Sequence, residues 1–357
     1  MRQTPIHDLY DGEAKIVDFN GWALPVQFSG IVDEHHATRT SAGLFDCSHM
    51  GEFLIRGREA IQAFSDLTFS DFTTLKQGRC RYSALLNDKA GILDDCVGLR
   101  LSEEELYVVT NAGPLEEVSA YITQHCATAE DLTLATTKID LQGPKSREVL
   151  LRVGLDGLAD FRYWSGGRID YEGVEIIVTR AGYTGELGYE LFVPNMHGPR
   201  LWQTLLNQDE VSPCGLGARD TLRTEVGYPL NGEDLAADIS ALESGMERFI
   251  AWDTPMPGKA LLEAQRDRGD YRRLVPIQTA DRRAPRHGFL LMQGESEVGV
   301  VTSGTFGPSV GTGVGLARVD PGLAEPGTTL SAGPRGLAVT VAEMPIYRAG
   351  TCRMKVA

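Results

Sequence analysis

Gly91-Ile92-Leu93-Asp94-Asp95-Cys96-Val97-Gly98-Leu99-Arg100-Leu101 is the stretch on which the reading of this chain turns. It leaves a turn, Asn87-Asp88-Lys89-Ala90-Gly91, and stays largely apolar until Ser102-Glu103-Glu104 stops it, which is the pattern of a strand. Residues 82–86 before it and 106–110 after it have the same character, so three strands follow one another through short connections. Helical stretches flank them at 59–67 and 114–125, the second with proline in its first turn. Hairpin-linked strands beside helices predict α+β architecture rather than a repeating βα barrel. On a strand, neighbours point to opposite faces. Ile92, Asp94, Cys96, Gly98 and Arg100 share one face; Leu93, Asp95, Val97, Leu99 and Leu101 share the other. Asp95 is then the single polar member of an apolar face. A carboxylate there must be paired, hydrogen-bonded or shifted toward protonation, and such groups concentrate at active sites. A carboxylate bonded to backbone N–H groups beside the turn is the plainer alternative.

Outward from this segment the same grammar continues. A polar helix is expected over 31–41, a strand over 52–55, and a strand over 132–141 joined by Gln142-Gly143 to a helix over 144–152. Strands at 174–180 and 189–193 and helices at 198–206 and 216–226 follow. From about residue 273 the pattern changes to short β-rich runs (274–278, 288–292, 298–303, 314–319, 337–341) cut by Gly and Pro, the grammar of a small barrel or sandwich.

The chain has 357 residues and a formal charge of −15, from 34 basic and 49 acidic side chains. At roughly 150 residues per domain this suggests two or three domains. The acid excess argues against a nucleic-acid surface and against docking on an anionic membrane, while leaving room for a local basic pocket. The polar N-terminus carries no secretory signal and no run is long enough to span a bilayer. Six scattered cysteines with no C-x-x-C read as buried thiols in a reducing compartment, so a cytoplasmic location is expected, or a mitochondrial matrix after removal of a presequence. Gly215-Leu216-Gly217 lacks the third glycine of a dinucleotide fingerprint, and no Walker loop, G-x-S-x-G elbow or H-E-x-x-H is present. His35 and His36 diverge by about 100° on a helix and cannot share a metal. Neither a metal nor a nucleotide cofactor is expected. The chemistry must rest on carboxylates, arginines, aromatics and a substrate that brings its own nucleophile.

Two further segments invite that reading. Gly182-Tyr183-Thr184-Gly185-Glu186-Leu187-Gly188-Tyr189-Glu190 places a glycine every third residue among two tyrosines and two acids. Glycines permit close backbone approach to a flat group, tyrosines stack, and Glu190 can accept two N–H bonds from a planar ring edge. A glycine-rich hairpin with solvated acids is the alternative. Cys214-Gly215-Leu216-Gly217-Ala218-Arg219-Asp220 leads into a helix whose first turn carries Arg219, a planar fork suited to a carboxylate or heterocycle. An intrahelical charge pattern is the alternative there.

These segments, with Asp18-Phe19-Asn20-Gly21-Trp22, Leu44-Phe45-Asp46-Cys47-Ser48-His49-Met50-Gly51, Leu141-Gln142-Gly143-Pro144 and Thr302-Ser303-Gly304, occur in an order that resembles the T-protein family of the glycine cleavage system, folate-dependent aminomethyltransferases of glycine catabolism and one-carbon metabolism. The resemblance spans almost the whole chain. It implies a three-domain cloverleaf around a central folate cavity with a C-terminal small β-barrel. The expected division is 1–55 plus 139–250 for a discontinuous first α+β domain, 56–138 for a second inserted in it, 251–272 for a connector and 273–357 for the barrel. It implies transfer of the methylene of an aminomethyl group from lipoylated H-protein, a transient partner, to tetrahydrofolate as co-substrate. Ammonia, 5,10-methylenetetrahydrofolate and dihydrolipoyl H-protein are the products. Residue by residue, the catalytic position falls on Asp95 and the folate-binding positions on Glu190 and Arg219, with Tyr82, Asn111, Tyr183 and Arg348 as further folate positions.

The sequence departs from the family pattern at Ala90, where a glycine is usual, at Asn231, where an aromatic is common, at Arg248, where tryptophan is customary, and at Gly304-Thr305-Phe306-Gly307-Pro308, where a glycine replaces serine. Two other readings stay open. One is a folate-dependent demethylase of the same superfamily; its sulfonium-using members lack the Asp-Asp pair and the Gly-Tyr-Thr-Gly-Glu run, and its amine-oxidising members carry a flavin domain. The other is a non-catalytic folate-binding protein of iron–sulfur assembly, marked by a Lys-Gly-Cys-Tyr-type motif where this chain has Arg180-Ala181-Gly182-Tyr183.

Overall fold

The computed structural model describes residues 1–356; residue 357, the expected end of the barrel domain, lies outside the described residues. The first sheet has six strands in the order Ser165–Tyr171, Val174–Arg180, Gly188–Pro194, Thr136–Gln142, Ala42–Asp46 and Val211–Pro213. Its neighbours run antiparallel except the last pair, which is parallel. The second sheet has five antiparallel strands: Cys80–Leu86, Ile92–Ser102, Glu105–Thr110, Gly51–Arg56 and Ala129–Asp131. The chain leaves the first sheet after Asp46 and returns at Thr136, and those two strands lie side by side with Gly43 opposite Gln142. The second sheet is therefore an excursion out of the first.

Strand periodicity explains how the two sheets stack. Phe53 and Ile55 face helices Arg58–Ser65 and Leu115–His125 and pack with Ile61, Phe64, Val118 and Ile122. Leu54, between them, faces the other way, into a layer with Leu99, Tyr107, Val109 and Phe192 of the first sheet. The Tyr107 and Phe192 rings meet at 5.1 Å. Strands covered on both faces lose the clean apolar–polar alternation, which is why these runs read as nearly continuous apolar stretches.

Three sequence expectations change. Gly51–Arg56 pairs within the second sheet, so the expected division between residues 55 and 56 falls inside one of its strands, and we place the boundary ahead of Gly51. The strand expected over 132–141 begins only at Thr136: the turn Thr133–Ala135 takes up its start, and a short separate strand of the second sheet, Ala129–Asp131, precedes it. Asp131 Oδ1 accepts the Thr133 N–H at 3.0 Å, and Thr133 Oγ1 accepts the Glu52 N–H at 3.1 Å. These bonds turn the chain from one sheet to the other, the Asx-turn role that such side chains favour. Residues 231–262, expected partly in the first domain and partly in the connector, pack Leu235, Leu242, Met246, Ile250 and Leu262 on Phe69, Ala84, Ala90 and Ile92 at the end of the second sheet. Ala90 holds a left-handed φ of 64°, which accounts for the glycine usual at that position. A Cβ at Gly91 would lie 1.9 Å from the Ala237 carbonyl, so the segment approaches that turn as closely as backbone allows.

Six strands between Arg273–Thr279 and Leu337–Val341 close a barrel around Val275, Ile277, Leu291, Val301, Val319, Val339 and Val341. Beyond Val341 the chain leaves the barrel, so 343–356 are a returning tail rather than barrel. The Tyr347 N–H donates to Glu225 O at 2.9 Å and the Cys352 N–H to Gly185 O at 3.1 Å. No helix among the described residues is long and apolar enough to cross a membrane.

Arg39, on helix Ile31–Thr40, sits where the first unit, the barrel and the tail meet. Its NH1 donates to Glu186 Oε1 at 2.8 Å and Thr184 O at 2.6 Å, and its NH2 to Glu225 Oε2 at 2.9 Å. Its guanidinium lies 4.0 Å over the Tyr347 ring of the tail. Glu225 Oε1 accepts the Ser309 N–H of the barrel at 2.7 Å. Arg39→Met would leave two buried carboxylates without their cation. We expect it to lower stability by about 3–5 kcal/mol, measured by denaturant unfolding; a loss below about 1 kcal/mol would mean the network is not what joins the units.

Candidate functional site

Strand Ile92–Ser102 carries a bulge: Leu86 pairs with Ile92 but Leu85 with Asp94, leaving Leu93 extra. Alternation is otherwise kept, yet the deeply covered face is the mixed one. Asp94, Cys96, Gly98 and Arg100 are buried, whereas Leu93, Asp95 and Val97 are half-buried. The mixed face can be covered because its awkward members are accommodated. Gly98 admits the Phe72 ring, which a Cβ would meet at 2.4 Å, and Arg100 donates to Glu103 O at 2.6 Å. Asp94 is fully enclosed. Asp95 stands on the more open side.

Asn111, at the end of strand Glu105–Thr110, binds both carboxyls. Its side-chain amide donates to Asp95 Oδ1 at 2.6 Å and to Asp94 Oδ1 at 2.8 Å, and its backbone N–H to Asp94 Oδ2 at 2.8 Å. Tyr82 OH donates to Asp95 Oδ2 at 2.9 Å. Asn231 Nδ2 donates to Asp94 Oδ1 at 2.7 Å. Asn231, one of the family departures, is thus tied to the acidic pair. Burial raises both carboxyls above their usual range, with the neighbouring Asp95 charge adding to the rise at Asp94 and the amide donors opposing it. Asp95 is pushed up to about 6.

A second group lies on the first sheet. Gly182 and Gly188 are required, because a Cβ at either would run into the Gln142 side chain at 1.9 and 2.2 Å. Tyr183 is stacked with Tyr228 at 5.9 Å and donates its OH to Pro229 O. Arg219 lies 4.9 Å over the Tyr183 ring and donates from NH1 to Asp140 Oδ2 at 3.0 Å. Glu190 Oε1 accepts from Lys138 Nζ at 3.1 Å and Oε2 from Thr179 Oγ1 at 2.7 Å. Burial raises the Tyr183 phenol, the charges of Arg223 and Arg219 oppose that rise and the charge of Asp95 adds to it, which links the second group to the first. Asp95, Tyr82, Asn111, Tyr183, Arg219 and Glu190 are therefore gathered in one region.

Arg348 is not among them. It is exposed on the returning tail and paired with Glu343. Tyr189, expected as a stacking residue, is buried in the first-sheet core. Arg223 has its donors engaged by Asp220, Asp234 and Ser303 and serves as a brace between helix and barrel. Lys138 and Asp140 were not anticipated; the signal was a Lys-x-Asp pair on one face of a strand otherwise bound for the core. Among the described residues no group of three or more His, Cys, Asp or Glu is arranged to hold a metal ion.

Comparison with known proteins bears on the whole chain. A family model described as the GCVT N-terminal domain matches residues 6–254, and one described as the glycine cleavage T-protein C-terminal barrel domain matches residues 272–348. The aminomethyltransferase of Saccharopolyspora erythraea is 38% identical over 97% of this chain and 98% of its own. That of Geobacillus kaustophilus is 38% identical over 98% and 99%. The crystal structure of the glycine cleavage system aminomethyltransferase T from Bartonella henselae superposes with a TM-score of 0.92 at 31% identity, covering 98% of this chain and 99% of that one.

The Asn111 amide should be what holds the acidic pair down. In a ¹³C NMR titration of the carboxyl carbons, Asn111→Ala is expected to move the protonation of Asp94 and Asp95 to higher pH, since burial is then opposed by fewer donors. Unchanged titration would show that the donors do not set the charge of the pair.

Proposed function

We propose, for a chain that belongs to the glycine cleavage T-protein family and is an aminomethyltransferase of that system, that the transfer takes place beside Asp95 with tetrahydrofolate as acceptor and the lipoyl arm of H-protein as donor. The observation that carries this reading is the half-buried Asp95 carboxylate, held by Tyr82 and Asn111, with its charge acting on the Tyr183 phenol over which Arg219 lies. The donor set suits a folate. Each Glu190 oxygen has one protein donor and keeps acceptor capacity for the N–H groups of a pterin edge. Arg219 offers its remaining donors in a plane fixed over Tyr183. Tetrahydrofolate supplies the two amine nitrogens that take up the carbon.

The balance assigns the residues. Two C–N bonds form to the transferred methylene while its bonds to the lipoyl sulfur and to the amino nitrogen break. The amino group leaves as ammonia and the sulfur as a thiol. The folate amines give up two protons over the sequence, and the two leaving groups gain them. Asp95, ionised above about pH 6, is placed to receive a proton from an amine as its bond forms and to return it to a leaving group. Its hydrogen bonds to Tyr82 and Asn111 orient it without neutralising it.

Asp95→Asn is expected to lower kcat by about 10²–10⁴-fold while folate affinity stays within a few-fold. In the parent protein, turnover should decline as pH falls below about 6, because Asp95 then takes up a proton and can no longer accept one; the variant should lack that acid limb. A variant with near-normal kcat would remove Asp95 from the chemistry.

A further inference from the structure

We propose that Lys138 and Asp140 are positioning residues for this reaction, a buried pair that joins Glu190 to Arg219 and sets both side chains for the folate. The inference rests on the reading of Glu190 and Arg219 as folate-binding residues. Lys138 and Asp140 are two apart on strand Thr136–Gln142 and so share a face. Lys138 Nζ lies 2.5 Å from Asp140 Oδ1 and 3.1 Å from Glu190 Oε1. Asp140 Oδ2 accepts from Arg219 NH1 at 3.0 Å and from the Cys47 thiol at 3.4 Å. The order Glu190, Lys138, Asp140, Arg219 alternates in charge and sums to zero.

Stability alone gives little reason for such a pair. Both side chains are 0% exposed, and a buried ion pair replaced by apolar residues of similar volume is often no less stable. The intervening and following residues, Ile139 and Leu141, already belong to the first-sheet core. The ends of the row differ from its middle: the Glu190 and Arg219 side chains are 14% and 13% exposed and reach out of the core. The enclosed middle fixes the two ends that emerge. It occupies one acceptor position of Glu190, beside the one that Thr179 takes, and one nitrogen of Arg219, so the remaining acceptor and donor positions stay available to a ligand. Glu52, buried near Lys138, has neither oxygen hydrogen-bonded, and burial raises its carboxyl well above the usual range.

Steady-state kinetics with tetrahydrofolate varied and aminomethyl-loaded H-protein saturating provide the test. Lys138→Met is expected to raise the KM for folate tenfold or more with kcat changed less than threefold. Glu190→Gln should raise that KM as well, and the double variant should be no worse than Glu190→Gln alone, because Lys138 acts through Glu190. Asp140→Asn, which keeps the shape of the side chain, should give the same KM-type loss through Arg219 and serves if Lys138→Met does not fold. Losses that add in the double variant, or a fall in kcat with unchanged KM, would overturn the proposal. If Glu190→Gln raises the KM and neither Lys138→Met nor Asp140→Asn does, only the positioning role fails. If Glu190→Gln leaves the KM unchanged, the folate reading of Glu190 fails and the inference with it.

Discussion

A buried charge needs a partner, and in this protein that requirement organises the fold. Arg39 cannot be enclosed without Glu186 and Glu225, and those carboxylates cannot be enclosed without Arg39. Because Arg39 belongs to the helix before strand Ala42–Asp46, Glu186 to the glycine-rich run, Glu225 to the helix that carries Arg219, Ser309 to the barrel and Tyr347 to the tail, satisfying one guanidinium sets five segments against one another. The apolar layer around Leu54 and Phe192 holds the second sheet to the first; this network holds the barrel and the tail to the first unit. Its position beside residues 182–190 and 216–226 is what gives the site a defined shape.

The same rule, applied at the site, yields reactivity instead of rigidity. Where cations match carboxylates, as along Glu190, Lys138, Asp140 and Arg219, charge is fixed in place. The Asp94–Asp95 pair has amides and a phenol but, among the described residues, no bonded cation, so its charge stays responsive to protons.

Much of this is legible in the sequence because local rules suffice. Alternation on Ile92–Ser102 separates Asp94 from Asp95, and the Gly-x-x-Gly-x-x-Gly run marks a place where backbone and Gln142 come too close for any Cβ. The barrel follows from its short Gly- and Pro-cut strands. What stays hidden depends on pairing across the chain. Which face of Ile92–Ser102 is covered depends on Phe72 entering over Gly98, and the break at Thr133–Ala135 arises because the chain must change sheets. Arg223 and Arg348 look equally available in sequence, yet one is consumed by Asp234 and the other lies on an exposed tail. The Asn231 bond to Asp94 joins residues 137 apart, beyond the reach of periodicity.

The central claim is that the site passes a methylene group to tetrahydrofolate with release of ammonia. A single-turnover reaction of the full chain with aminomethyl-loaded lipoyl H-protein and tetrahydrofolate measures it directly. Equimolar 5,10-methylenetetrahydrofolate and ammonia, with a free thiol regenerated on the lipoyl arm, is the predicted result. No folate product, under conditions where a known aminomethyltransferase completes the turnover on the same substrates, would contradict it.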